Sequence, residues 1–157
     1  MRRHFLYQGV SSLNLDDKGR FAIPAKYRES LLASCGGQMV VTLNPFQKCL
    51  LVYPEPEWQR VYADLSGMRN SRPQIAQTQR LLMGYAHDYQ MTAQGRIQVP
   101  LKLRELAGLD KQVALVGQGK KFELWDEASW DAMTLNWLKA GREQDDDSAE
   151  VFDALTL

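Results

Sequence analysis

The cations with the most chemical potential in this chain fall into two clusters, Lys18, Arg20, Lys26 and Arg28 early, and Arg96, Lys102 and Arg104 later. The first lies in "NLDDKGRFAIPAKYRE", residues 14–29, and the second in "QMTAQGRIQVPLKLRE", residues 90–105. Superimposing the two stretches pairs Gly19 with Gly95, Arg20 with Arg96, Pro24 with Pro100, Lys26 with Lys102, Arg28 with Arg104 and Glu29 with Glu105. An arginine offers a planar fork of donors that fits a phosphate or the O6/N7 edge of guanine, and a lysine adds a mobile point charge. Neither a tight turn nor a helix start needs a cation at these places, so a polyanion is the ligand class they point to. Asp16, four residues before Arg20, has two readings. It forms a plain surface ion pair, worth no more than about 1 kcal/mol, or it holds Arg20 in a fixed pose toward an anionic partner. The second copy carries Thr92 at this place, and a hydroxyl accepts a hydrogen bond without supplying a counter-charge.

Catalytic constellations are poorly represented. The two histidines are His4, in an N-terminal arm, and His87, beside Asp88. A lone His–Asp neighbour pair is more often structural than a working base. No G-x-S-x-G, H-E-x-x-H or C-x-x-C occurs. "GQGKK", Gly117 to Lys121, lacks the strand–loop–helix setting and spacing of a phosphate-cradling loop and reads as a hairpin turn. A non-enzyme with no cofactor, no metal and no small-molecule substrate is expected.

The elements that must position the cations follow from local chemistry. "DDKGR" between extended segments is hairpin-turn sequence, with Gly19 and Gly95 suited to a positive φ. Pro24 opens a helix, "PAKYRESLLAS", that stops at Gly36 and Gly37. "MVVTL" and "CLLVY" read as paired strands, and "PEPEWQRVYADL" and residues 73 to about 83 as helices. The second copy repeats the order with "QVALVG", "KFELWD" and the helix "EASWDAMTLNWLKAG". In this last helix Trp130, Met133, Trp137 and Leu138 form a stripe that suits core or subunit contact. Leu50, Val52, Tyr53, Glu55 and Trp58 correspond to Phe122, Leu124, Trp125, Glu127 and Trp130, so the offset shrinks from 76 to 72 and four residues are expected to be missing from the second helix-to-strand loop. The pattern is a duplicated β-turn-β-helix-β-β unit. Each copy is too small for a good core of its own, so the two are expected to interdigitate in a β-rich α+β fold. Unit 1 is placed at 10–57, a helical connector at 58–85, unit 2 at 86–129, and a C-terminal helix and acidic tail at 130–157.

Composition bounds the class. The 157 residues are 45% hydrophobic and 24% charged with zero formal net charge, the profile of a soluble globular protein. No apolar run approaches the roughly 18 residues of a membrane span, and "MRRHFLYQGV" does not read as a secretory signal. Cys35 and Cys49 alone suit a reducing cytoplasm. The zero hides an asymmetry: residues 1–104 carry fourteen Lys and Arg against seven Asp and Glu, and residues 105–157 carry five against twelve. The first two thirds can therefore meet an anion.

"NLDDKGRFAIPAKYRE", "GQMVVTLNPFQKCLLVYPEPEW", "QRLLMGYAHDYQM" and "VGQGKKFELWDEASW", in this order, resemble the MraZ family of bacterial transcriptional regulators over roughly residues 6 to 138. The resemblance implies two AbrB-like units (the SpoVT/AbrB domain), each with a D-x-x-x-R signature, in a pseudo-symmetric swapped-hairpin, double-split β barrel with added helices. It implies a closed-ring homo-oligomer that binds double-stranded DNA at direct repeats in the promoter of the division and cell-wall gene cluster, in the cytoplasm at the nucleoid. Carried onto this sequence, Arg20 is the first DNA contact, with Lys18, Lys26, Arg28, Arg96, Lys102 and Arg104 in support and Asp16 and Thr92 orienting. The second signature departs from the pattern at Thr92. The start departs as well, with "MRRHF" ahead of "LYQG" and Arg2 and Arg3 available as a basic arm. An antitoxin-like interaction module, holding a protein through the acidic C-terminal part and the tail "VFDALTL", is the alternative.

Overall fold

The computed structural model describes residues 6–69 and 72–143; Arg2, Arg3 and the tail "VFDALTL" lie outside the described residues. Unit 1 runs β1 (Val10–Asn14), β2 (Arg20–Ala22), α1 (Ala25–Cys35), β3 (Gln38–Leu43), β4 (Leu50–Pro54) and α2 (Glu55–Gly67), followed by α3 (Pro73–Gly84). Unit 2 repeats the order as β5 (His87–Gln90), β6 (Arg96–Gln98), α4 (Leu101–Ala107), β7 (Gln112–Gly117), β8 (Phe122–Asp126) and α5 (Glu127–Arg142). The helix starts obey the sequence. Pro24, Pro54 and Pro100 sit at φ of −53°, −59° and −58° at the entrances of α1, α2 and α4, preset to the φ a helix needs and missing only an N–H that would be orphaned there. Gly36 and Gly108 close α1 and α4 in the left-handed conformation.

Six strands form an antiparallel sheet in the order β1-β7-β8-β4-β3-β5, and β2 and β6 form a separate two-stranded ribbon. Exchanging the two units turns that order into its own reverse, so the sheet has a pseudo-twofold axis between β4 and β8. The registers agree. Leu51 lies opposite Glu123 and Phe21 opposite Ile97, each pair being the same position in the two copies. The units are interdigitated: β1 pairs with β7 of the other unit, and β5 with β3. Neither unit can therefore complete its sheet alone.

The ladders leave the sheet open at β1 and β5, so the hydrogen bonding makes a sheet plus a ribbon and does not close a barrel. The tight turns after β1 and β5 carry the chain off the sheet, and strands of three residues each are too short to bridge back to it.

Three layers result. The ribbon, α1 and α4 cover one face of the sheet, with Phe21, Ile23, Leu31, Ile97, Val99 and Leu103 buried against Val41, Val52, Phe122 and Leu124. α2 and α3 cover the opposite face through Trp58, Leu65 and Leu82 on Val40, Leu51 and Tyr53, and α5 packs there through Trp130 and Met133 on Trp125. Cover on both faces explains why β3 and β4 read as unbroken apolar runs. Each large side chain buried this way contributes roughly 1.5–3 kcal/mol. Thr42 is buried too, and its hydroxyl donates to the Leu82 carbonyl at 2.7 Å, tying α3 to the sheet.

The four residues missing from unit 2 are not simply lost from the helix-to-strand loop. α1 has 11 residues and α4 has 7, a loss of four that the linker partly restores. The following linker is longer in unit 2, 108–111 against 36–37, and the hairpin loop is shorter, 118–121 against 44–49. Two residues are thus lost between helix start and strand and two from the hairpin loop, while α4 itself is shorter by about one helical turn, which leaves its buried face in register with the core.

Candidate nucleic-acid interface

The two signature stretches form the same hairpin. Asp16 N–H donates to Arg20 O at 2.9 Å and Gly19 N–H to Asp16 O at 2.9 Å; Thr92 N–H donates to Arg96 O at 3.0 Å and Gly95 N–H to Thr92 O at 2.8 Å. Gly19 and Gly95 both take a positive φ, 76° and 80°. Beyond the turn each chain enters the ribbon, where Arg20 faces Gln98 and Ala22 faces Arg96. Phe21 and Ile97 point into the core, and strand alternation therefore puts Arg20, Ala22, Arg96 and Gln98 on the outer face. Arg20 and Arg96 stand diagonally across that face, in reach of each other at about 7–8 Å, and line one shallow depression with Tyr89, Thr92, Gln94 and Gln98.

The arginines are held differently. Asp16 Oδ2 accepts from Arg20 Nε at 2.7 Å, and Oδ1 accepts from the backbone N–H of both Lys18 and Arg20 at 2.9 Å. Those bonds, led by the Arg20 backbone N–H, hold the Asp16 carboxyl below the usual aspartate range. The pair is about 40% exposed on both sides, so its stabilising effect is small and its geometric effect is the larger one. Because Nε makes the contact, the two terminal nitrogens of Arg20 meet no protein acceptor among the described residues. At the second hairpin Thr92 Oγ1 accepts only the Arg96 backbone N–H, at 3.0 Å. Arg96 is exposed, and its guanidinium makes no hydrogen bond among the described residues.

The other predicted cations separate into two kinds. Lys18 and Lys102 are exposed, while Lys26 lies over the Tyr27 ring, 4.9 Å from its centre, beside Gly9 and away from the ribbon depression. Arg28 and Arg104 are half-buried, and each is tied into the fold through its Nε. Arg28 Nε donates to Ile23 O at 2.8 Å and Arg104 Nε to Val99 O at 3.2 Å. Each also lies over the turn glycine of the other unit, Arg28 over Gly95 and Arg104 over Gly19.

Gln98 escaped the sequence reading. Its Nε2 donates to the Lys18 carbonyl at 2.9 Å, joining the unit 2 strand to the unit 1 turn. The available signal was the mismatch of Gln98 with Ala22 in an otherwise matched pair of strands.

In the last helix Trp130 and Met133 are partly buried against the core, on the side the stripe suggested, whereas Trp137 and Leu138 are 46% and 44% exposed. Among the described residues no three His, Cys, Asp or Glu side chains cluster as a metal site, and no helix is long and apolar enough to cross a membrane.

Comparison with known proteins gives the arrangement a context. The family model described as "MraZ protein, putative antitoxin-like" matches twice, over residues 6–81 and 82–153. A protein of Nitrosomonas eutropha named "Transcriptional regulator MraZ" is 53% identical, over 80% of this chain and 84% of that protein. Proteins of the same name from Thioalkalivibrio sulfidiphilus and Halorhodospira halophila are 47% and 41% identical, each over 97% of this chain and all of the relative.

Proposed function

This chain belongs to the MraZ family, and from that membership we propose that it is a transcriptional regulator that reads duplex DNA with the outer face of the β2–β6 ribbon. The observation that carries the reading is the Arg20 fork. Asp16 fixes it through Nε, leaving both terminal nitrogens directed by a rigid hairpin toward a phosphate or a guanine edge. Arg96 stands on the same face without a carboxylate partner among the described residues and supplies a looser second contact. Lys18 and Lys102 add phosphate attraction, and Lys26 does so from its separate place beside Gly9. Asp16 and Thr92 set geometry and do not touch the nucleic acid.

The target is the family's own: direct repeats in the promoter of the division and cell-wall gene cluster, bound in the cytoplasm at the nucleoid. Repeated operator elements call for repeated protein sites, and a closed homo-oligomeric ring supplies them, letting contacts that are weak singly add by avidity.

The test is a binding titration of the full chain against a duplex from its own upstream region at several salt concentrations. Arg20→Ala is expected to lower affinity at least tenfold and to reduce the salt slope by about one phosphate contact. Unchanged affinity and slope would refute the reading. Light scattering at micromolar concentration reports the assembly separately, and a monomer there would remove the ring while leaving the ribbon contact standing.

A further inference from the structure

The two hairpins that carry Arg20 and Arg96 are braced by the opposite unit as well as from within. Ile23 N–H donates to the Gly95 carbonyl at 2.7 Å, and Val99 N–H donates to the Gly19 carbonyl at 2.8 Å. Each turn is thus hydrogen-bonded to the strand–helix junction of the opposite copy. Over each bond lies an arginine from the same junction. A Cβ on Gly19 would fall 2.6 Å from Arg104 Nε and 2.6 Å from the Val99 carbonyl oxygen, and one on Gly95 would run into Arg28. Each arginine is in turn fixed by its own backbone acceptor, Val99 O at 3.2 Å and Ile23 O at 2.8 Å.

We propose that Arg28 and Arg104 are positioning residues acting in trans between the units: Arg104 clamps the Gly19 turn and so places Arg20, and Arg28 clamps the Gly95 turn and so places Arg96. This rests on the DNA-binding reading above and reassigns two cations that sequence alone would send to phosphate. The chemistry demands arginine. Its Nε–H sits partway along the side chain, at the height of the carbonyl it bonds, and the flat guanidinium can lie against a glycine with no Cβ. A lysine carries its only donors at the tip, one bond past the clamp, and has no planar face. Both turns therefore depend on the duplication being intact, and a disturbance in α4 is felt at the unit 1 hairpin.

The experiment uses the full chain with Arg104→Met, which removes the charge, and Arg104→Lys, which keeps it. Binding to the upstream duplex is titrated at several salt concentrations, and amide hydrogen exchange is followed at Gly19, Arg20, Gly95 and Arg96. As a brace, Arg104 gives the following result. Both variants lose affinity by about tenfold, the usual scale for a lost charge-assisted hydrogen bond, and R104M keeps the wild-type salt slope. Exchange accelerates at Gly19 and Arg20 but not at Gly95 and Arg96, a pattern that general loosening would not produce. Near-wild-type binding by R104K with a slope lowered by about one in R104M would make Arg104 a phosphate contact and overturn the proposal. Equal acceleration at both turns, or none, would overturn it as well. If the unaltered chain fails to bind the duplex, the DNA reading falls, and the clamp is decided by the exchange pattern alone.

Discussion

Asp16 and Arg20 are joined twice: the carboxylate accepts from the Arg20 backbone N–H through Oδ1 at 2.9 Å and from Arg20 Nε through Oδ2 at 2.7 Å. One side chain thereby fixes both the turn and the direction of the guanidinium leaving it. At the equivalent place Thr92 makes only the backbone half of this contact. Two hairpins of the same backbone shape consequently present one preset and one free arginine on a common face, and the functional weight of the two copies should differ.

Arg96→Ala is expected to weaken binding to the upstream duplex less than Arg20→Ala does, since a freely rotating side chain gives up more of its contact energy in being ordered. Thr92→Asp should move Arg96 toward the preset state. The Arg96 Nε proton would then become observable and slow to exchange by NMR, with a change in global stability of less than about 1 kcal/mol for so exposed a pair. Larger loss from Arg96→Ala than from Arg20→Ala would show that presetting is not what ranks the two sites.

The pH dependence follows from Asp16. Its carboxyl is held below the usual aspartate range, first by the Arg20 backbone N–H. A depressed folded value means that the contribution is complete above the unfolded value and is lost as pH falls through the folded one. Amide protection at Lys18 and Arg20 should persist through pH 4 and give way only in stronger acid, whereas the Arg96 amide, bonded to a hydroxyl, should show no such step. A carbon-detected NMR titration placing Asp16 at or above an ordinary aspartate would contradict this.

The turn glycines should rank by what an added Cβ meets. At Gly36 nothing lies within 4 Å, and Gly36→Ala carries only the left-handed penalty of about 1–2 kcal/mol. Gly95→Ala adds a collision with the Arg28 side chain, which can yield by giving up its bond to the Ile23 carbonyl. Gly19→Ala adds one with the Val99 carbonyl, which belongs to the backbone and cannot, for a total of roughly 2–4 kcal/mol. Urea unfolding of the three variants would check the order, and equal losses would show that the cross-unit contact bears no load.

The two cysteines should differ in reactivity. Burial, aided by the nearby Glu123 charge, pushes the Cys49 thiol up to about 12, and its side chain is almost wholly enclosed. A thiolate-selective reagent at neutral pH should label the native chain at Cys35 alone and reach Cys49 only on unfolding. Mass spectrometry of the labelled chain decides it, and early label on Cys49 would mean that the α5 side of the sheet opens readily.

The element order was legible because each boundary carries its own chemistry. Pro24 and Pro100 open helices, Gly36 stops one, and "DDKGR" turns a hairpin, all through short-range constraints that a sequence displays directly. The duplication was legible for the same reason, since matched turns need matched residues. Placing the four-residue deletion was beyond reach: it is divided between the helix–linker segment and the hairpin loop, and a helix shortened by about one turn keeps the same face buried and leaves no break in the apolar pattern. The candidate site was partly legible. Asp16 and Arg20 lie four residues apart in a recognisable turn. Arg28 and Arg104, by contrast, appear as surplus charge until the partner unit's glycine is brought against them.

By itself the sequence determined the repeated unit, its turns and helix starts, the family and the residues that could hold an anion, because these depend on residue type and on spacings of a few positions. Tertiary structure alone decided which strands pair across the two units, that the sheet remains open beside a separate ribbon, and that Arg20 and Arg96 share a face. It also brought Arg28 and Arg104 against the turn glycines of the opposite units. Each of these depends on contacts between residues far apart in the chain, from 46 positions for Val41 and His87 to 106 for Val10 and Val116, and such contacts are set by how two half-domains, neither able to bury its core alone, fill each other's gaps.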